Sequence, residues 1–352
     1  MRTTPRILWA VPLALLAISS VLLFAQRSAA LSASASQPAA SATAKIVSAA
    51  QAVMNSLDDA GKARLQFPFE GPQKTRWSNL PSPMFKREGI RLADLSPAQR
   101  TAVTTLLTAA LSADGYRKVT EIMRGDEVLR TNQGARGGRA GGPAFGEGEY
   151  YLAFLGTPSM TSPWMLQFGG HHLAINLTMA GAQSSMTPSL PAAQPATYTW
   201  EGREIRPLGK ENDKAFALVN ALDASQRSQA VLTYRVSDLV LGPGQDGKTI
   251  QPEGIRASAL TAAQQTMLLD LVREWSAIAT DAFAEPRMAD IRARLPETYF
   301  AWSGPTTNGS VAYFRIQGPT LVIEYAPQST VDHIHTIYRD PTNDYGAKFV
   351  SK

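Results

Sequence analysis

The sequence predicts an α+β fold made from an internally duplicated unit, helices first and antiparallel strands after. One observation is a pair of helix starts. Gly89-Ile-Arg-Leu-Ala-Asp-Leu-Ser-Pro-Ala-Gln and Gly254-Ile-Arg-Ala-Ser-Ala-Leu-Thr-Ala-Ala-Gln lie 165 residues apart. Each carries a capping box, Ser96 with Gln99 and Thr261 with Gln264. A second is a pair of strand runs. Tyr151-Leu-Ala-Phe-Leu-Gly and Tyr299-Phe-Ala-Trp-Ser-Gly lie 148 residues apart, and the same offset lays Gly170–Asn176 over Gly318–Glu324. The third is order: at the offset of 165, Val53, Met54, Leu57 and Asp58 fall on Leu218, Val219, Leu222 and Asp223. The two units, residues 44–210 and 211–352, are expected to pack about a pseudo-twofold axis into one globular domain.

In chain order, the N-terminus reads as an export signal. Arg2 and Arg6 precede an uncharged, mostly apolar run, Ile7–Ala25, and small-residue cleavage sites end near Ala30 or Ala35. A signal peptide over residues 1–30 and a Ser/Ala-rich tether over 31–43 follow; an uncleaved anchor is the alternative, because the run nearly spans a bilayer. Ile46, Val47, Ala50, Val53, Met54 and Leu57 make one helical stripe. Val103, Leu106, Leu107, Ala110 and Leu111 make the next, and Leu268, Leu271, Val272 and Trp275 its counterpart. Strands are expected at Tyr150–Leu155, Trp164–Phe168, Leu173–Leu177, Thr298–Trp302, Ala312–Ile316, Leu321–Tyr325 and Asp332–Tyr338. The two offsets differ by about 17 residues, which places an insertion in the first unit. Its candidate is Thr131–Pro143, whose glycines favour a loop and whose Arg136 and Arg139 could meet an anion.

Composition excludes several chemistries. The 352 residues contain no cysteine, so disulfides, thiolate ligands and cysteine nucleophiles are absent. Removing residues 1–30 takes away three arginines and no acid, and the formal charge falls from +5 to +2. That is too little for a basic nucleic-acid binder. No Gly-Lys-Ser/Thr follows the glycine-rich stretch, so no nucleotide cofactor is expected. No Gly-x-Ser-x-Gly occurs, and Ser159 reads as a turn residue. Trp77 and Trp164 suit core packing or a substrate platform.

The chain has four histidines, His171 and His172 side by side and His333 and His335 one residue apart. Alternation puts His333 and His335 on one strand face, a common start for a metal site. It also groups His172 with Asn176, whose counterpart in the other unit is Glu324. A carboxylate inside Leu-Val-Ile-Glu-Tyr is costly to bury unless paired or metal-bound. His172, His333, His335 and Glu324 are therefore the expected ligands of zinc, copper or iron. His171, Asn176, Arg339, Asp340 and Asp344 are candidates to support them, and Asp332, Asp340 or Asp344 could orient the imidazoles. The competing expectation is structural: His171 caps a strand, Glu324 pairs with Arg315, and the Arg-Asp-Pro-Thr-Asn-Asp stretch is a turn.

Two motifs carry a family resemblance. Gly-His-His-Leu-x-x-Asn, from Gly170 to Asn176, and His-Ile-His-x-x-x-Arg-Asp-Pro-x-Asn-Asp-Tyr-Gly, from His333 to Gly346, resemble the secreted bacterial family called domain of unknown function 3500, over roughly Thr43 to Gly346. The resemblance implies export and a site built from these motifs, and no reaction. The residues themselves point to a periplasmic or secreted metal-dependent hydrolase acting on a small-molecule or peptide ligand. The alternatives are a non-enzymatic metal or small-ligand binding protein and a copper or iron oxidoreductase. Nucleic acid is not expected as a partner, and a membrane only through an uncleaved anchor.

Overall fold

The computed structural model describes residues 37–135 and 142–350. The expected signal peptide lies outside the described residues, as do Arg136 and Arg139; Thr131–Ala135, expected in the loop, instead close a long helix. The tether also needs correcting. Residues 37–43 belong to the first helix, α1, described over 37–55. Ala39 and Ala42 are buried there, and the hydroxyl of Thr43 donates to the carbonyl of Gly181 at 2.8 Å. Small side chains that look like a linker in sequence here let a helix lie close against the sheet.

The α+β class is borne out, and the elements recur in one order. Helix α1 is followed by α2 (Asp59–Leu65), as α5 (Gly209–Ala221) is by α6 (Ala224–Ala230). Asp58 caps α2 through the N–H of Gly61, and Asp223 caps α6 through the N–H of Gln226. Next come the short strands β1 (Gln66–Phe67) and β2 (Ile90–Arg91), with β10 (Ile255–Arg256) as the later equivalent of β2. The expected capping boxes then open α3 (Pro97–Ala110) and α7 (Ala262–Ser276). Each is followed by a further helix, α4 (Ala113–Ala135) and α8 (Asp281–Ala293), and then by three antiparallel strands. Those are β3 (Tyr151–Leu155), β4 (Trp164–Gly170) and β5 (Leu173–Ala180) in the first half. In the second they are β11 (Tyr299–Ser303), β12 (Tyr313–Gly318) and β13 (Leu321–Pro327), with β14 (Ile334–Arg339) added at the edge.

Register matches across the halves. Gln167 pairs with Asn176 where Arg315 pairs with Glu324. Gly89 and Gly254 show the same constraint. Both have positive φ, +104° and +91°, and a Cβ on either would meet a carbonyl oxygen, of Leu152 at 2.5 Å or of Phe300 at 2.2 Å. Only glycine allows β2 and β10 to enter at that angle.

Alternation divides each sheet face. Leu152, Phe154, Leu166 and Phe168 pack on α1, α3 and α4 in one core. Phe300, Trp302, Phe314 and Ile316 pack on α5, α7 and α8 in a second. A third cluster lies on the opposite face of the first sheet, where Ala153, Leu155, Met165 and Ala174 meet Trp77, Leu190, Ile337 and Tyr345. Trp77 donates to the Tyr345 hydroxyl, and Trp164 is fully buried, so both are packing residues and not a substrate platform.

The halves are joined by backbone. After β5 come β6 (Gln183–Ser185), beside it in the first sheet, and β7 (Leu190–Pro191), and then β8 (Tyr198–Trp200) and β9 (Arg203–Ile205), which form a separate hairpin. Strand β7 pairs with β5, Leu173 opposite Pro191. The same segment bonds to β14 on its other side: Ser189 exchanges both backbone hydrogen bonds with Tyr338, and Ala193 both with Ile334. The start of β5 is thereby held beside the start of β14.

Two substitutions check the glycine constraint. Gly89→Ala and Gly254→Ala should each destabilise by about 2–4 kcal/mol, since strain at positive φ adds to a backbone clash. Urea denaturation reads this; a loss below about 1 kcal/mol in both variants would contradict it.

Candidate metal centre

All four histidines meet at that seam. His171 and His172 form the two-residue turn between β4 and β5, whose ends pair as Gly170 with Leu173. His172 takes φ +60°, a conformation costly for a residue with a Cβ. Two backbone bonds hold it there: its N–H donates to Asn79 at 3.1 Å, and its carbonyl accepts from Ala192 at 2.8 Å. His335 lies on β14 opposite Ala326, and His333 just precedes the strand, its carbonyl accepting from Gln328.

The Nε2 atoms of three rings converge. Those of His172 and His333 are 2.9 Å apart, and those of His333 and His335 are 3.0 Å apart. The three ligand atoms all lie within 4.8 Å of one another. Hydrogen bonds among the three rings satisfy this arrangement only in part. A neutral imidazole has one N–H and one lone pair, so the central Nε2 of His333 can donate to one neighbour or share a single lone pair between two. An ion accepts all three lone pairs together. Nitrogens 2.0–2.1 Å from a tetrahedral zinc would lie about 3.3 Å apart, a few tenths of an ångström beyond the 2.9 and 3.0 Å of the two close pairs.

The electrostatics keep the rings of His172 and His333 neutral. Burial, then the neighbouring imidazoles, pushes His172 well below the ordinary histidine value. Burial and His335 lower His333 to about 4. Neutral imidazole is the ligating form. On the outer side, Nδ1 of His335 lies 3.3 Å from the Asp238 carboxylate. Burial opposes the charge on Asp238, but bonds from His335, the Leu239 N–H and Gln328 together bring it below the usual range. Such a carboxylate fixes the ring and makes its other nitrogen a better donor. The Asn79 amide lies 3.2 Å from Nε2 of His335. It comes from the loop between β1 and β2, and Asp238 from the loop after α6, one from each half.

His171 does not join the triad of Nε2 atoms. Its ring stacks on His172, centroids 3.6 Å apart, and its Nδ1 lies 2.7 Å from buried Asp126 on α4. Asp126 is raised by burial, with the bond to His171 acting against the rise. Tyr150 donates to Asp126 at 3.2 Å and to the His171 carbonyl at 2.8 Å. Asp126, His171 and His172 also have ligand atoms within 4.8 Å of one another.

Glu324 is not brought to the cluster. Its carboxylate accepts from the N–H groups of Val240 and Leu241 and from the Tyr313 hydroxyl, and so holds the loop that carries Asp238. Asn176 likewise bonds Gln167 and the carbonyl of Pro188. The reason is local. His172 sits in a turn, so alternation along β5 starts at Leu173 and does not align His172 with Asn176. Arg339 is buried and donates to the carbonyls of Leu241 and Gly242 and to Asp246 and Asp344. Asp340 pairs with Arg287, and Asp332 accepts from the Ala196 N–H. None of these acids touches an imidazole. Ser159 accepts from the N–H groups of Thr161 and Ser162, a turn as expected.

A family model described as "Protein of unknown function (DUF3500)" matches residues 39–347. The chain belongs to this family. None of the curated proteins matches the chain, and no solved structure does. The family's description carries no reaction, so chemistry has to come from the site.

Acid should unpick the centre. The folded-state values of His172 and His333 lie below their unfolded value of 6.5. The unfolded chain therefore binds more protons between the two values, so this stabilisation is complete above pH about 6.5 and is lost as pH falls toward about 4. Metal-free protein compared by urea denaturation at pH 7 and pH 4.5 should lose more stability than a His172→Asn, His333→Asn double variant. Equal losses would contradict the neutral, buried assignment.

Proposed function

We propose that the protein is an exported metal-dependent hydrolase holding one divalent ion on Nε2 of His172, His333 and His335. The observation that carries the reading is the convergence of three imidazole Nε2 atoms, all within 4.8 Å of one another, at the junction of the two sheets. Three neutral ligands leave the ion its full double charge and leave a fourth position for water. His333 and His335 are only partly buried, so solvent would reach an ion held there. An ion held this way lowers the pKa of its water toward neutrality and supplies hydroxide at working pH. The Asn79 amide, 3.2 Å from His335, stands where it can bond that water or the group it attacks.

Zinc suits the set best among the three metals considered, because three imidazoles with an open position form its usual catalytic arrangement. Among the described residues no helix is long and apolar enough to cross a membrane. The charged and then apolar N-terminal sequence supports a periplasmic or secreted location, with the leader removed.

Three variants separate the roles. His335→Ala should stay folded and bind zinc at least about a hundredfold more weakly, because binding energy is shared among few ligands. His171→Ala should keep the metal and lose about 1–3 kcal/mol, since it leaves buried Asp126 short of a partner. Glu324→Gln should also keep the metal while loosening the Asp238 loop. Metal titration and urea denaturation read all three, and hydrolysis of activated esters should follow metal content. Wild-type zinc affinity in His335→Ala would remove the reading. Stoichiometric copper or iron in the purified protein would replace hydrolysis by redox chemistry. Bound metal without hydrolytic activity would leave a binding protein.

A further inference from the structure

The seam between the halves holds a cavity of about 210 Å³ at the end of β14 away from the histidines. Ser184 on β6 reaches it from the first half. Ser276 at the end of α7, Arg287 and Asp290 on α8 and Tyr338 on β14 reach it from the second. The turn after β14 adds Asp340 and Asn343, and the short helix α9 (Ala347–Val350) adds the exposed Lys348. Tyr338 follows His335 by three residues, about 10 Å along a strand, so the cavity and the histidine cluster are separate sites.

The charges in this lining balance, and Arg287 ties the acids together. Its Nη1 pairs with Asp290 and with Asp340, each at 3.1 Å, its Nε donates to the Tyr338 hydroxyl at 3.0 Å, and its Nη2 donates to the Thr320 carbonyl. Asp290 also accepts from Thr320 and Arg294, and Asp340 from Thr342. What is left over is donors. Tyr338 is 2% exposed and accepts from Arg287, but its own O–H has no acceptor among the described residues. Burial raises its pKa above the ordinary value, so the proton stays. Ser276, 4% exposed, has only the Met288 sulfur, a weak acceptor. The Ser184 hydroxyl and the side-chain N–H groups of Asn343 have no partner among the described residues. A buried hydroxyl without an acceptor costs stability unless something in the cavity accepts from it.

We infer that this cavity binds a neutral, polyhydroxylated molecule of monosaccharide size. A hydroxyl group offers two lone pairs and one hydrogen. It can accept from Tyr338, Ser276, Ser184 or Asn343 and donate to a spare lone pair of Asp290 or Asp340, since a carboxylate has about four acceptor sites. Charge selects for neutrality. An anion would meet two carboxylates, and a cation would meet Arg287 and Lys348. Size selects the class. One water needs about 10–15 Å³ of such volume, so the cavity far exceeds a bridging water and admits a six-membered ring with its hydroxyls, about twelve heavy atoms. Phe283 and Ala279 also line it and give the C–H face of such a ring an apolar surface. This site goes beyond the metal reading and does not rest on it.

The test uses the full-length, metal-free protein and saturation-transfer NMR, with D-glucose, D-galactose, D-mannose and myo-inositol offered one at a time. At least one should respond saturably, with a dissociation constant on the order of 1 mM, the affinity open to about twelve heavy atoms. Methyl phosphate should give no saturable response. Ser184→Phe fills the cavity without removing a hydrogen bond between described residues, and should abolish the response. Tyr338→Phe removes a single oxygen and should weaken binding at least about threefold. No saturable response from any of the four overturns the inference, as does tighter binding of methyl phosphate than of all four, or a response unchanged in Ser184→Phe. Should Ser184→Phe fail to fold, an unchanged response in Tyr338→Phe overturns it instead. Because metal is absent throughout, failure of metal binding leaves this result standing, and failure of polyol binding leaves the metal centre standing.

Discussion

The double-sided pairing of β7 is the constraint on which the rest depends. A strand of two residues, extended by Ser189 and Ala193, hydrogen-bonds β5 on one side and β14 on the other. Backbone bonds set register without regard to side chains, so the edge of the first sheet and the edge of the second are fixed to within a residue. The His171–His172 turn lies at one edge, and His333 and His335 lie at the other. Two backbone bonds pin His172 at φ +60°, and the ring then points across the seam and not along a strand face. A strained residue with a functional ring at a junction of two sheets is how a rigid scaffold stores a site.

The loops complete the frame with buried polar groups. Glu324 holds the loop of Asp238 by two backbone N–H groups, and Arg339 holds the following turn by two carbonyls and two acids. Arg87 does the same for the loop of Asn79. On the far side of the helices, Lys118 and Glu211 form a fully buried ion pair between α4 and α5. A charge left alone at such depth is costly, so each pair resists sliding of one half against the other.

Much of the fold was legible because its signals are local. Capping boxes at Ser96 and Thr261, the apolar stripes behind them and the alternating strand runs each act within a few residues, and the described helices and strands follow them closely. We read the recurrence of elements at two fixed offsets as one unit copied once. The site was legible only in part. The histidines stood out by scarcity, and His172, His333 and His335 do converge. Glu324 did not join them, because a turn residue was counted as part of a strand. Asp126, Asp238 and Asn79 escaped the sequence reading altogether. Their partners lie 45, 97 and 256 positions away, and nothing in the local pattern of each marks it. The Ser/Ala stretch before Thr43 misled for the opposite reason: composition suggested a linker where tight packing needed small side chains.

The central claim is that three imidazoles of this chain share one ion. X-ray absorption at the metal edge of zinc-loaded protein tests it most directly, since imidazole rings scatter distinctively and their number can be fitted. The account predicts one ion per chain with three imidazole nitrogens at about 2.0 Å and one light oxygen neighbour. A protein that takes up no zinc, or an ion surrounded by oxygens with one imidazole or none, would contradict it.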